Sequence, residues 1–439
     1  MTFQELRISK QILNALDDLE FVYPTQIQKK CYRRITSGAD VLGIAPTGTG
    51  KTFAYLLPVL DQLEYSDQKH PRVVIVVPTR ELVVQVQKET EKLCKYKTIR
   101  IKSVYGGANI NTQKENIFFG GSDILIGTPG RLYDLALSGV LRLSNVKKFI
   151  VDEVDEMLNL GFRQQIEKII LMLPQKHQSL MFSSTLSEEV RSFISGCFHD
   201  IEILQVDNLN TPTEKIVQTA FFVPNFNTKV NFIKHLLEDK CEFRKNIVFV
   251  ANKKQADLVF ELLLQSQNNN IGIIHSNKSQ NFRFNIIKSF EKSKIRTLIA
   301  TDVVARGLDF TDISHVINFS PPENPSDYVH RIGRTGRAGK EGNSIMFVSP
   351  DEENDFNEVK RIMGNCICQE DFPSTVSVSN ILIDEEKTVA GKKIIVKTPT
   401  LKNPGGAYQS KSKKRLKENS GGLKRKIKGK PKRRSGRKN

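Results

Sequence analysis

Short apolar runs alternate with longer amphipathic stretches along the chain, and the alternation happens twice. In the first half the runs are VLGIA (41–45), VVIVVP (73–78), DILIGT (123–128), KFIVDE (148–153) and LMFSST (180–185). After VDNLNTPTEK (206–215), rich in Asn, Thr and Pro, the pattern restarts with NIVFVA (246–251), IGIIHS (271–276), RTLIAT (296–301), HVINFS (315–320) and SIMFVS (344–349). Runs of this kind fit strands buried on both faces, and the amphipathic segments between them fit covering helices. Strands alternating with helices predict parallel sheets flanked by helices. The two series predict two α/β domains joined by a linker over 208–215; one large sheet interrupted by a long loop is the alternative.

Length agrees, because 439 residues exceed a usual single domain and allow two separate cores. The six cysteines include no C-x-x-C pair and no metal-ligand spacing, which predicts a reduced, cytoplasmic protein over a disulfide scaffold or a zinc site. No apolar run approaches membrane-spanning length, and the polar start MTFQELRISK has no signal-peptide character.

Charge changes the picture more. Of the net +18, residues 411–439 supply +14, with fifteen Lys and Arg against the single acid Glu418, which leaves +4 for the rest. A block so basic and so poor in apolar residues is expected to be disordered. Nucleic-acid binding through phosphate neutralisation is the preferred reading, and a solubilising appendage the other. Residues 373–410 include the alternating VSVSNILIDEEK but no motif, and the whole of 373–439 is expected to be a low-complexity basic tail.

The stretch VLGIAPTGTGKTFAYLLPVL carries chemistry. A strand runs into Thr47, Gly48, Thr49, Gly50, Lys51 and Thr52, and an apolar helix follows. Glycines let backbone amides close around phosphate oxygens at a positive helix end. Lys51 would reach the outer phosphates and Thr52 would place its hydroxyl on Mg²⁺. The strict G-x-x-x-x-G-K-T pattern fails only at its first position, Ala45. This loop gives meaning to KKFIVDEVDEML (147–158), where carboxylates follow a buried strand at the edge where such sheets hold ligands. Asp152 is placed to hold the metal, and Glu153 to orient and deprotonate an attacking water. Asp155 lies too far on to share the metal and is better placed to contact another loop. The residues predict a nucleoside-triphosphate hydrolysis site.

From Phe3 to about Phe372 the chain resembles the DEAD-box RNA helicases. VDEVD carries the box with Val154 where the family name has alanine, and APTGTGKT matches the family's phosphate loop, its initial alanine included. EFVYPTQIQ (20–28) resembles the adenine-sensing motif ending in Gln28, with Phe3 the upstream aromatic and Glu20 where the family usually has glycine. PTREL (78–82), GG (106–107) and TPGR (128–131) match strand-contacting motifs, and SST (183–185) stands for Ser-Ala-Thr, with Ser184 the changed residue. VFVANK (248–253), QNFR (280–283), ATDVVARGLD (300–309) and HRIGRTGR (330–337) match the second half. The short N-terminus and basic tail look most like small bacterial members such as the RhlE-like subgroup.

The resemblance implies two tandem RecA-like domains, each a parallel sheet flanked by helices, plus the disordered basic tail. The implied boundaries are a Q-motif region over 1–29, an ATP-binding domain over 30–207, the linker, and a second helicase domain over 216–372. Function and cofactors follow as an ATP-dependent RNA helicase using ATP and Mg²⁺, remodelling RNA duplexes and RNA–protein complexes. Sequence-nonspecific structured RNA is the implied partner, with ribosomal precursors or RNA-decay factors as candidates and no membrane. The rival readings are an RNA-binding clamp with weak unwinding and a DNA translocase. Phe3, Gln28, residues 47–52, Gly307 and Asp309 are implied to hold ATP, although a surface Gln and a simple tight turn are the bland alternatives for Gln28 and Gly307. Arg334 and Arg337 sit three apart, so on a helix they would share a face, and the resemblance implies that they are arginine fingers, a solvated basic patch being the alternative. RNA contacts fall on Arg80, Gly107, Thr128, Arg131, Arg283, Thr301 and Asp302, residue types suited to phosphate and sugar contacts. Asp155, Ser183 and Thr185 are implied to couple nucleotide state to strand separation. Tyr133 and Phe118 are expected in the core.

Overall fold

The computed structural model describes residues 2–198, 200–206, 216–265, 270–302, 310, 312–336, 341–383 and 386. The first sheet contains β1 (Val41–Ile44), β2 (Val73–Val76), β3 (Ile101–Val104), β4 (Ile124–Gly127), β5 (Lys148–Val151), β6 (Gln178–Ser183) and β7 (Glu202–Gln205), in the order β3-β4-β2-β5-β6-β1-β7. The second contains β8 (Ile216–Phe222), β9 (Asn246–Val250), β10 (Ile271–Ile274), β11 (Thr297–Thr301), β12 (His315–Asn318), β13 (Gly342–Val348) and β14 (Ile367–Glu370), in the order β10-β11-β9-β12-β13-β8-β14. Every recorded pairing is parallel. The two orders match position for position once β8 is set against β1 and β14 against β7, so the second sheet repeats the first.

Parallel pairing sends each strand's C-terminal end to one edge, where ligands bind in open α/β sheets. Helices cover both faces, and the alternation along a strand decides which core each residue joins. Leu180 and Phe182 of β6 face one core with Phe3, Ile27 and Tyr55, while Met181 faces the other with Leu42, Val151 and Phe193. Helices after the strand ends start on polar caps: Thr79, Asn225, Asn252 and Ser279 each accept a hydrogen bond from a first-turn amide. Among the described residues no helix is long and apolar enough to cross a membrane.

The expected tail boundary at 373 moves. Phe372, Val376 and Ile383 pack against the second domain's core. The helix Phe226–Glu238 and its cap clamp the segment through side chains: Asn225 Nδ2 donates to Ser379 O at 2.7 Å, Asn231 Nδ2 to Ser377 O at 3.0 Å, and Thr228 Oγ1 accepts from Ser379 N at 3.0 Å. Side-chain clamping of an irregular strap leaves no helical or strand period in the sequence. Residues 208–215 and 387–439 lie outside the described residues.

Candidate functional site

The phosphate loop follows β1 with Gly48 and Gly50 at φ +79° and +87°, conformations that favour glycine. Gly50 immediately precedes the helix Lys51–Asp61. Its missing side chain also makes room, because a Cβ there would lie 2.4 Å from Gln28 Nε2. Gln28 donates from Nε2 to Gly50 O at 3.2 Å and accepts at Oε1 from Thr25 N at 2.9 Å, so its amide joins the phosphate loop to the start of its own helix. It is 6% exposed, which removes the reading as a surface glutamine. One further N–H and one carbonyl lone pair remain on this amide for a base edge. Phe3, Gln28, the loop from Thr47 to Thr52, Asp152, Glu153 and Arg334 line one cavity of about 510 Å³. Phe21 and Phe53, at 5.4 Å and edge to face, add aromatic wall that the sequence did not single out.

Asp152 directly follows β5 and is 2% exposed. Its Oδ2 accepts from Tyr55 Oη at 2.9 Å. Glu153 sits at φ +53°, a strained left-handed position for a non-glycine residue, at the start of the helix Val154–Asn159. Its Oε2 lies 3.0 Å from Lys51 Nζ. Burial, and next the charge of Glu153, push the Asp152 carboxyl up to about 7. Burial pushes Glu153 the same way. The charges of Lys51 and His330 and hydrogen bonds from Lys51 and Ser184 outweigh it and bring Glu153 down to about 2. The Lys51 ammonium 3.0 Å away favours the charged, proton-accepting form of Glu153.

Asp155 contacts another loop, as its spacing predicted. Its Oδ2 accepts from Ser184 N at 3.1 Å, Thr185 N at 2.9 Å and Thr185 Oγ1 at 3.0 Å. Ser183 Oγ donates to Thr185 O at 2.8 Å. From the second domain His330 Nε2 comes within 3.9 Å of Asp155 Oδ2. Gly333 packs so close that a Cβ there would lie 2.6 Å from Thr47 Oγ1, and Arg334, 3% exposed, joins the cavity wall. Burial of Arg334 disfavours the solvated-patch reading for that residue. Arg337, Gly307 and Asp309 lie outside the described residues.

A second set of residues spans the cleft. Gly107 has φ +78°, and a Cβ there would lie 2.1 Å from Arg80 Nη1, so the glycine pair seats the Arg80 guanidinium. Arg131 follows Thr128 on the helix Pro129–Leu137, and donates to Gln113 Oε1 at 2.7 Å and Ala108 O at 3.1 Å. Arg80 Nη1 donates to Gln280 Oε1 at 3.0 Å, and Arg283 stands one turn from Gln280 on the same helix. Burial first, and the nearby Arg80 charge as well, lower the pKa of both Arg131 and Arg283, so Arg80 lies within electrostatic range of both. Arginines on both sides of the cleft suit a chain of phosphates. Thr301 ends β11, and Asp302 is gripped by Arg331, whose Nε and Nη2 donate to its two oxygens at 2.7 and 2.8 Å. Asp302 thus gives its carboxylate to a protein partner.

Phe118 is not in the core: it is 63% exposed, beside Phe119 at 73%. Tyr133 is half-buried against the core that holds Met181, under the ammonium of Lys168. Tyr55, Ser184, Glu81 and Gln280 are the site residues to which sequence reasoning gave no role. Of these, Ser184 carried a signal, as a departure from the resembled pattern.

Residues 25–193 match the family model of the DEAD/DEAH box helicases, and residues 228–339 that of the helicase conserved C-terminal domain. DEAD-box ATP-dependent RNA helicase CshA of Bacillus cereus is 35% identical over 391 residues, 89% of this chain and 73% of that protein. ATP-dependent RNA helicase RhlB of Pseudomonas syringae pv. tomato is 35% identical over 380 residues, 85% of this chain and 95% of that protein. Neither name supports the RhlE-like subgroup. Among solved structures, S. cerevisiae Dbp5 bound to RNA and ADP BeF3 superposes with TM-score 0.78 at 26% identity, covering 84% of this chain and 95% of that one. Mss116p bound to ssRNA and AMP-PNP gives TM-score 0.78 at 30% identity, covering 85% and 79%.

Proposed function

The chain belongs to the DEAD/DEAH box helicases, and from that premise we propose that it is an ATP-dependent RNA helicase whose chemistry runs on the residues gathered at the cavity. The observation that carries this reading is the meeting of Lys51, Asp152 and Glu153 of one domain with Arg334 of the other around one cavity. ATP enters with its base toward Phe3 and Gln28 and its phosphates on the loop from Thr47 to Thr52. Lys51 contacts the outer phosphates. Glu153 accepts the proton of a water whose oxygen bonds the γ-phosphorus as the bridging oxygen leaves with ADP. Arg334 offsets charge on the transferred group.

Thr52 and Asp152 suit Mg²⁺. A buried carboxylate supported by a tyrosine hydroxyl, with one neighbouring threonine, is too sparse for an all-protein cage, and no cluster of three or more His, Cys, Asp or Glu able to hold a metal occurs among the described residues. Thr52 and Asp152 would hold the ion together with waters and phosphate oxygens of the substrate. When bound it neutralises phosphate charge.

The strand lies along Arg131, Arg80 and Arg283, held by phosphates and sugars and not by base edges. Because Arg80 and Arg283 are bridged across the cleft, RNA and ATP favour the same arrangement of domains, and affinity for that arrangement strains a duplex. A cytoplasmic location, and ribosomal precursors or RNA-decay complexes as targets, complete the proposal.

The test is steady-state ATPase without nucleic acid, with RNA and with DNA, beside unwinding of a short RNA duplex. Stimulation by RNA alone together with unwinding is the expected result. Stimulation without unwinding indicates a clamp, and equal stimulation by DNA overturns the RNA assignment. Glu153→Gln, unable to take the proton, should bind ATP and RNA yet stall turnover.

A further inference from the structure

Ser184 Oγ closes a triangle between the two charged groups of the hydrolytic site. It accepts from Lys51 Nζ at 2.5 Å and donates to Glu153 Oε2 at 3.0 Å, the oxygen that Lys51 also reaches at 3.0 Å. Ser184 is 6% exposed, and its main-chain N–H is tied separately to Asp155 Oδ2 at 3.1 Å. Glu153 Oε2 therefore has two donors, of different fates. Lys51 is the loop cation that an arriving triphosphate draws to itself, so its hold on Glu153 weakens when ATP binds. The Ser184 hydroxyl stays, because its backbone is fixed by Asp155 and not by Lys51.

We propose that Ser184 is a positioning residue for hydrolysis, keeping the Glu153 carboxylate aimed at the attacking water once Lys51 has turned to the phosphates. Alanine at this place would leave Oε2 without its remaining donor. The hydroxyl touches neither ATP nor water in this role; it acts through Glu153. The inference rests on Glu153 being the base of the proposed function.

Ser184→Ala and Ser184→Thr in the full-length protein test it, with kcat and KM for ATP measured at saturating RNA and AMP-PNP affinity measured separately. A hydrogen bond to a charged group that matters only after ATP binds predicts a fall in kcat of about tenfold for Ser184→Ala, with KM and AMP-PNP affinity unchanged. Ser184→Thr, which retains the hydroxyl, should recover most of the rate. An unchanged kcat in Ser184→Ala overturns the proposal. So does a loss confined to KM and AMP-PNP affinity, which would place Ser184 in binding through Lys51, and so does a threonine variant as slow as the alanine one. ATP hydrolysis indifferent to RNA would overturn the helicase reading alone, since the same comparison of kcat and KM can be made without RNA.

Discussion

Glu81 of the first domain and Arg283 of the second form a buried ion pair across the cleft, with Oε1 and Nη2 2.6 Å apart. Gln280 Nε2 donates to the same Glu81 oxygen at 2.9 Å, and Gln280 Oε1 accepts from Arg80 at 3.0 Å. One carboxylate thus fixes the two arginines best placed to hold a phosphate chain from opposite sides. Burial lowers the pKa of Arg283, and the charge of Glu81 acts against that shift.

Glu81→Gln keeps the shape and removes the charge, leaving a buried guanidinium without its anion, which is the costly way to break such a pair. Affinity for single-stranded RNA in the presence of AMP-PNP should fall about tenfold or more, while affinity for AMP-PNP alone stays as it was. Anisotropy of a labelled RNA reads the first and a nucleotide titration the second. Unchanged RNA affinity would mean that the pair adds nothing to the arrangement that grips the strand.

Arg334 lines the nucleotide cavity, with Nε donating to His330 O at 3.2 Å, so its head is directed from the end of the helix Pro325–Ile332. Arg334→Ala should reduce RNA-stimulated hydrolysis by roughly 10³-fold if it stabilises the charge of the transferred phosphoryl group. Binding of RNA without nucleotide should hardly change. A variant with normal turnover but weak nucleotide-free RNA binding would restore the basic-patch reading.

Which parts were legible follows from burial. Central strands such as β2, β4 and β9, buried along their length, appear in the sequence as apolar runs. The outer strands β3, β7 and β14 expose residues of IKSV, EILQ and ICQE and look like loops, and β8 alternates buried with exposed. The phosphate loop and the carboxylates were legible because each is contiguous in the chain. Tyr55 and Asp152 are 97 residues apart, and Glu81 and Gln280 are 199 apart, so only the fold reveals those contacts. Phe118 misled because IFF (117–119) puts three apolar residues in sequence on a helix, where only Ile117 can turn inward.

Glu20 occupies φ +58°, where the resembled pattern has glycine. A left-handed residue with a Cβ costs about 1–2 kcal/mol, and glycine's extra freedom when unfolded gives back part of that. Glu20→Gly should stabilise the protein by up to about 1 kcal/mol, visible as a small rise in Tm. A fall in Tm would show that the glutamate side chain itself holds the turn.

His315 is buried at the start of β12 and stacked on Phe243, with ring centroids 4.0 Å apart. Burial, and to a lesser extent Arg244, lower its pKa from 6.5 to about 4, and the exposed Glu242 at 3.7 Å does not reverse this. Between these values the unfolded chain takes a proton that the folded chain refuses, so stability falls as pH drops from about 6.5 toward 4. Urea unfolding at pH 7 and pH 5 should show the loss, and His315→Phe should show less of it. Equal losses in both proteins would place the acid sensitivity elsewhere.

Residues 411–439 supply +14 of the chain's +18 and lie beyond every motif, so charge alone supports a prediction for them. Removing them should raise the RNA concentration that half-saturates ATPase and leave the saturated rate nearly unchanged, because the hydrolytic residues all lie before 338. The log–log salt dependence of RNA binding should also become shallower, by ~0.7 for each single-strand phosphate that the truncated protein no longer neutralises. A segment that only keeps the protein in solution predicts no change in that slope. A segment essential to the second domain predicts a fall in the saturated rate, although the strap through Ile383, clamped by Asn225, Thr228 and Asn231, would survive the truncation. Titrations of full-length and truncated protein at several salt concentrations separate these outcomes, and an unchanged slope would rule out an RNA tether.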